Sequence, residues 1–223
     1  MLRTYSLKHD KRDEIEDLVR AYNRILNDML DDIWSAVIWK RVGIKGKHQF
    51  RLIPILRKDN EFKRFLRDKY LKGWVYAAHW VDSALKTAFS MIENWRKNYV
   101  KGERKKVRPK ARRLFIRVKQ TLCKLEGEKL RVTVAPRKFI HFDLSKRYFK
   151  LPAMVSSSGI GEPIITLDKI HLPIHVPDTK SEALVEKMAW DSNLLSLDGF
   201  SPEVGWVRID TKPLTTVHIS SFE

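Results

Sequence analysis

The chain has 223 residues with 44 Lys or Arg and 27 Asp or Glu, a formal net charge of +17 and a pI near 10.0. This balance is typical of a protein with a polyanionic partner, with nucleic acid the first expectation and an anionic membrane the second. A hydrophobic share of 43% excludes global disorder, and a single cysteine, Cys123, excludes an intramolecular disulfide and a multi-cysteine zinc site.

The chain has no apolar run near the ~20 residues that a membrane span requires. Its N-terminal residues also lack the apolar core of a signal peptide. We therefore expect a cytoplasmic protein that is not inserted in a membrane.

The first half of the chain predicts a short strand and three helices. Residues 2–8 alternate weakly, and apolar residues then recur at helical spacing from residue 11 to about residue 40, where Gly43 and Gly46 are expected to end the helix. Asp59 or Asn60 is expected to cap a short helix that runs to Tyr70. Residues 74–98 predict the third helix, and the three apolar stripes are expected to pack together. The side chains expected off the apolar face of the third helix are Asp82, Ser83, Lys86, Glu93 and Lys97.

In the second half of the chain, apolar residues recur at every second position, which is typical of β-strands. Residues 114–125 and 129–134 predict strands around a Glu126-Gly127-Glu128 turn, and residues 139–144 predict another. Residues 163–176 hold one or two more, where Pro173 indicates an edge strand. Short strands at this spacing indicate a small barrel or sandwich. Beyond a boundary near residues 177–181, the pattern predicts a further strand, turn, strand, turn, strand unit.

The densest positive charge lies between these two architectures, from residue 96 to residue 119. Glu103 is its one acid. We expect this run to bind nucleic acid, because Lys and Arg that neutralise phosphates release counterions; a solvated linker is the alternative. The basic residues are Arg96, Lys97, Lys101, Arg104, Lys105, Lys106, Arg108, Lys110, Arg112, Arg113, Arg117 and Lys119. The strongest candidates among them are Arg104, Lys105, Lys106, Arg108, Lys110, Arg112 and Arg113.

Other chemistry-bearing residues give weaker signals. The seven histidines do not form a metal site by spacing, so no resident metal is predicted. Trp39, Trp80 and Tyr99 lie off the apolar stripes and are candidates to stack on bases. Asp191 ends an apolar strand, where a carboxylate is either a turn residue or a metal ligand. Asp198 and Asp210 are predicted to lie in turns, so the sequence offers no strong second metal ligand to accompany Asp191.

Three segments resemble the N-terminal part of TnpB, the RNA-guided nuclease of insertion sequences (OrfB) that is related to type V CRISPR effectors. The end of the family's recognition helices is similar to HWVDSALKTAFSMIENWRKNYVKGERKKVRPKARR, and its wedge barrel to LFIRVKQTLCKLEGEKLRVTV. The first strands of its RuvC-type nuclease domain, in the archaeal form, are similar to MAWDSNLLSLDGF. Asp191 then stands at the first catalytic carboxylate.

The resemblance implies an α+β protein with a helical bundle, residues 10–113, inserted in a small wedge-like β-barrel of residues 1–9 and 114–177. Residues 178–223 would be the truncated start of an RNase H-like (RuvC) sheet. The family's other carboxylates and its cysteine zinc ribbon have no counterpart here, and Ser192 replaces a commonly apolar residue. The resemblance thus implies a guide-RNA- and DNA-binding scaffold with a vestigial Asp191 and no cleavage activity.

Two alternatives remain at this level. A partner chain could complete a Mg²⁺-dependent endonuclease around Asp191, and Mg²⁺ is expected only in that case. Alternatively, the open C-terminal sheet could mediate protein interaction, including a homodimer through its strands.

Overall fold

The computed structural model describes residues 2–43, 50–145, 159–175, 189–192, 196–201 and 205–210. The chain divides into two compact units, residues 1–176 and residues 177–223. Three helices and several small antiparallel sheets make it an α+β protein. The helices are α1 (Arg12–Ser35), α2 (Asn60–Leu71) and α3 (His79–Lys101). The strands of the first unit are β1 (Leu2–Lys8), β2 (Ile38–Gly43), β3 (Phe50–Ile55), β4 (Ile116–Arg117), β5 (Cys123–Glu126), β6 (Lys129–Ala135), β7 (Lys138–Asp143), β8 (Ile164–Ile165) and β9 (Lys169–His175).

The helices pack through the apolar stripes that the sequence predicts, with α1 and α2 both against α3. The buried face of α1 includes Ile15, Tyr22, Leu26 and Ile33, each at most 1% exposed. These positions are seven, four and seven residues apart, which is about two turns, one turn and two turns of the helix, so one side of the helix is removed from water along its length. None of the helices in the described residues has both the length and the apolarity needed to cross a membrane.

The first helix ends earlier than predicted. It stops at Ser35 rather than near residue 40, and β2 follows, paired antiparallel with β3 from Ile38↔Ile55 to Gly43↔Phe50. The helical period continues through Val37, but the next residues are β-branched or aromatic and find ladder partners in β3. Gly46, the second expected helix stop, lies outside the described residues.

The second helix begins as predicted, and the third does not. Asp59 caps α2 by accepting a 2.8 Å hydrogen bond from the backbone N–H of Phe62. The third helix starts at His79, five residues after the predicted start. In the intervening turn the backbone N–H of Ala77 donates to the carbonyl of Val134 on β6. A tertiary hydrogen bond therefore replaces what would have been a helical one.

The prediction for Ser83 was also wrong. Its side chain is fully buried rather than outside the apolar face, because its hydroxyl hydrogen-bonds to Tyr22 on α1 and donates to the carbonyl of Arg117 on β4.

The strands of the first unit form two larger sheets, with orders β1-β9-β8-β4 and β5-β6-β7. The described strands do not close into the predicted barrel. The predicted strand 114–125 is broken by a 3₁₀ turn at Gln120–Leu122, so β4 and β5 join different sheets. The Glu126–Glu128 turn is present, with Gly127 at φ +59°.

Pro173 lies in β9, which is an inner strand and not the predicted edge. It faces Thr4 of β1, while its carbonyl points to the other side and accepts from the N–H of Gly161 at 2.8 Å. On that side the neighbouring backbone pairs with β9 only through an isolated bridge between Ile160 and Ile174. The missing N–H of Pro173 therefore does not interrupt a continuous series of strand-to-strand hydrogen bonds there.

The second unit contains an antiparallel sheet of β10 (Ala189–Ser192), β11 (Ser196–Ser201) and β12 (Gly205–Asp210) in that order. The Asp198-Gly199 pair is in the middle of β11, so the predicted turn there was wrong. Its partners on β12 are Arg208 and Val207, which extend the ladder through both residues. The predicted strand before residue 189 and the predicted turn after Asp210 lie outside the described residues.

Candidate functional site

The basic run leaves α3 at a sharp reversal. Gly102 adopts φ +90°, and its N–H donates to the carbonyl of Tyr99 at 3.0 Å, while the N–H of Glu103 donates to the carbonyl of Asn98 at 2.9 Å. These two bonds form a Schellman motif, whose left-handed residue is normally glycine. The chain then continues as residues 103–113, which we call the basic segment.

The basic segment is held along α1 by a ladder of polar side chains. Arg108 forms an ion pair with Asp31, the N–H of Ala111 donates to Oδ1 of Asn27 at 2.9 Å, and Nδ2 of Asn23 donates to the carbonyl of Arg113 at 2.9 Å. Nδ2 of Asn27 also donates to the carbonyl of Ala111 at 3.2 Å. The segment therefore runs antiparallel to α1.

The spacing of the ladder fits the geometry of both elements. Asn23, Asn27 and Asp31 are four residues apart, which places them ~6 Å apart along one side of a helix. From Ala111 to Arg113 an extended chain advances ~6.6 Å, so its backbone groups meet successive helical turns. The backbone of the basic segment therefore bonds to the side-chain amides of Asn23 and Asn27, where a β-strand would bond to the backbone of a neighbouring strand.

The start of the basic segment is fixed by Trp95. The indole N–H of this buried residue donates to the carbonyl of Lys105 at 3.2 Å. Between α3 and the segment lies an open groove of about 840 Å³, whose lining includes Asn94 and Asn98. The basic residues that line it are Arg104, Lys105, Arg108, Lys110 and Arg112. The groove thus carries cations and amide groups, together with the acid Glu103.

The structure divides the twelve predicted basic residues into two groups. Arg96 donates to the carbonyl of Pro54 at 3.0 Å, Arg108 pairs with Asp31, and Arg117 and Lys119 are partly buried. The other eight are exposed on the end of α3 or on the basic segment: Lys97, Lys101, Arg104, Lys105, Lys106, Lys110, Arg112 and Arg113.

An aromatic cluster adjoins the segment. Trp39 of β2 packs edge-to-face on Trp34 and Trp95, at centroid distances of 5.8 and 6.1 Å, and Tyr99 stacks on Trp95 at 5.1 Å. The ammonium group of Lys106 lies 4.0 Å from the centre of the Trp39 ring. Cations close to partly exposed rings suit contact with both phosphates and bases.

Trp80 does not belong to this surface, contrary to the stacking prediction. It is fully buried, and its indole N–H donates to the carbonyl of Thr133 at 3.0 Å. Because the Trp80 side chain is buried, neither face of its ring is accessible for stacking on a base.

Asp191 lies on β10 directly opposite Asp198, which is opposite Arg208 on β12. Arg208 donates to both carboxylate oxygens of Asp198, at 2.5 and 3.2 Å, and this bond raises the pKa of the guanidinium. The Asp198 carboxylate is therefore engaged by the guanidinium of Arg208. Among the residues described, no three His, Cys, Asp or Glu side chains are grouped as a metal site would require.

The sequence prediction missed Asn23, Asn27 and Asp31, which hold the basic segment in place. Their regular four-residue spacing beside the apolar stripe of α1 was the available signal. Asn is a poor former of helix interiors, so two of them in register indicate a hydrogen-bonding role.

Residues 18–133, just over half of the chain, match the family described as the Uncharacterized protein MJ0013 family. The chain is 41% identical over 150 residues to Uncharacterized protein MJ0013 of Methanocaldococcus jannaschii, covering 61% of this chain and 91% of that protein. It is 37% identical over 204 residues to TnpB-like protein MJ1635 of the same organism, covering 90% of this chain. That alignment spans 45% of the relative, so the chain corresponds to about half of its length. Its similarity to a TnpB-like protein agrees with the resemblance that the sequence predicted, and the family model shows that the chain belongs to the MJ0013 family.

Proposed function

We propose that the chain binds structured RNA, or an RNA–DNA duplex, through backbone phosphates, as the guide-RNA- and DNA-binding part of a TnpB-type protein. The observation that carries this proposal is the basic segment, where exposed cations are attached to a backbone fixed by α1. Side chains that extend from a fixed backbone lose less conformational freedom on binding than those of a flexible linker. This favours a binding surface over the solvated linker.

The open, cation-lined groove supports contacts with backbone phosphates rather than sequence-specific contacts with base edges. Arg104, Lys105 and Lys110 line an open groove rather than a closed pocket, and the exposed Arg112 and Arg113 continue the same strip. Phosphate contacts position a nucleic acid without reading its sequence. In the proposed role, specificity comes from pairing between the guide RNA and its target.

We further propose that this chain binds without cutting. The support is the Asp198–Arg208 ion pair: the carboxylate opposite Asp191 in the described sheet is engaged by a guanidinium, whereas a two-metal site needs carboxylates that converge on the ions. Asp191 is then a vestige of the nuclease set. Incubation of the bound nucleic acid with Mg²⁺ is expected to leave it intact, and cleavage that disappears in Asp191→Ala would contradict this part of the proposal.

Binding is tested by filter-binding titrations over a range of salt concentrations. We expect the variant with Lys105, Lys106, Arg112 and Arg113 all changed to Ala to bind more weakly, with the salt slope reduced by about one unit per lost contact. The matched control changes four exposed cations elsewhere, Lys8, Arg64, Lys138 and Lys169, and removes the same formal charge. An unchanged slope in the first variant, or an equal loss in the control, would overturn the proposal.

A further inference from the structure

The β2–β3 ribbon is positively charged, and neither of its strands contains an acid. Between Asp32 and Asp59 the sequence contains seven Lys or Arg residues and no Asp or Glu. The basic segment differs in this respect, because Arg108 is paired with Asp31 and Glu103 lies in its groove. Two of the seven cations, Arg57 and Lys58, follow β3 and pair with Asp59 and Glu93. The cations of the two strands themselves are Lys40, Arg41 and Arg51, and the strands contain no carboxylate.

The base of the ribbon is anchored to α3. Trp39 packs in the aromatic cluster, the carbonyl of Pro54 accepts from Nε of Arg96 at 3.0 Å, and Nη2 of Arg51 donates to the carbonyl of Tyr99. Pro54 itself is buried. Three contacts from two strands fix the direction of the ribbon relative to the bundle, so its outer part is presented on a rigid support.

The outer part of the ribbon exposes both cations and apolar groups. Lys40 and Arg41 are exposed, and the guanidinium of Arg41 lies 4.0 Å from the centre of the Phe50 ring. Phe50 is 62% exposed and Leu52, which pairs with Arg41, is 39% exposed. Cations suit phosphates at a groove wall, whereas apolar side chains suit the thymine methyl groups on its floor.

We propose that the β2–β3 ribbon is a second binding element that enters the major groove of B-form DNA. Two strands ~4.8 Å apart form a ribbon that a groove ~12 Å wide admits. The major groove of an RNA duplex is too narrow and deep for this entry. Lys106 of the basic segment contacts Trp39 of β2, so the ribbon and the basic segment form one continuous surface. This inference rests on the proposed function and adds a preference for duplex DNA.

The test compares three probes of equal length: a DNA duplex of about 20 base pairs, roughly two helical turns, an RNA duplex and a single strand. Fluorescence anisotropy across a salt series measures binding of the parent, of Lys40→Ser/Arg41→Ser and of the control Arg64→Ser/Lys138→Ser. We expect the ribbon variant to bind the DNA duplex about tenfold more weakly, with the slope reduced by about 1.8, or 0.9 for each lost phosphate contact. Its binding to the other two probes should change by less than about twofold.

A second variant, Phe50→Ala, tests the apolar contact separately. It should weaken binding to the DNA duplex without changing the salt slope, because no charge is lost. If the ribbon variants bind the DNA duplex as the parent does, the inference is overturned while the proposed function stands. Equal losses on all three probes would make the ribbon a general phosphate contact and also overturn it. A parent protein that binds none of these probes, and neither a structured RNA nor an RNA–DNA duplex of the same length, would refute the proposed function itself.

Discussion

Asn27 is the residue on which the position of the basic segment depends most. Its side-chain amide forms two hydrogen bonds with the backbone of Ala111, at 2.9 Å to the N–H and 3.2 Å to the carbonyl. Ala111 is 7% exposed, so water has little access to these two groups once the amide is removed. We predict that Asn27→Ala destabilises the fold and loosens the basic segment.

The magnitude follows from these contacts. Two net hydrogen bonds contribute about 1 kcal/mol each, which gives a loss of about 2 kcal/mol. Alanine is a better helix former than asparagine and recovers about 0.6 kcal/mol within α1. The expected decrease in the free energy of unfolding is therefore about 1.5 kcal/mol.

Urea denaturation followed by circular dichroism measures this difference, with the free energy extrapolated linearly to water. The matched control is Ser90→Ala, which shortens an exposed polar side chain on α3 and should change the free energy by less than about 0.5 kcal/mol. Weaker nucleic-acid binding should accompany the loss in Asn27→Ala. If that variant has the stability of the parent, the ladder does not hold the segment in the way described.

Two further predictions concern the sheets of the first unit. A Cβ at Gly161 would lie 3.1 Å from Cβ and 3.2 Å from Cγ of Pro173, so Gly161→Ala should cost about 1–2 kcal/mol by overpacking, and an unchanged melting temperature would contradict this. Burial, with a smaller contribution from Glu162, raises the pKa of the Cys123 thiol to about 11. Alkylation by iodoacetamide should therefore keep accelerating with pH well beyond 9 in the folded protein, whereas the urea-unfolded chain should level off near the ordinary pKa of ~8.5. A folded protein that levels off there too would show that the thiol is not shielded.

Features set by neighbouring residues were predictable from the sequence. The cap of α2 depends on Asp59 and on an N–H three residues further on, and the turn at Gly127 is equally local. The apolar stripes of the helices follow from the helical period, which is also local. For these elements the tertiary structure adds packing partners and does not change the local preference.

Features set by distant partners were not predictable in this way. The first helix stops at Ser35 because β3 pairs with residues 38–43, and the helical period contains no information about that partner. Ser83 appears polar and surface-exposed until Tyr22 and the carbonyl of Arg117 are placed beside it. The ladder joins residues more than 70 positions apart. The four-residue spacing of Asn23, Asn27 and Asp31 therefore indicated a polar row on α1 but did not identify the segment that binds to it.

The central claim is that the cations of the basic segment face the phosphates of a nucleic acid. The most direct measurement is the salt slope of binding for the parent and for the Lys105/Lys106/Arg112/Arg113→Ala variant, taken side by side on the same structured RNA. Four lost phosphate contacts predict a difference of roughly three to four units. Equal slopes would contradict the claim and would leave the segment as a structural connection between the helical bundle and the sheets.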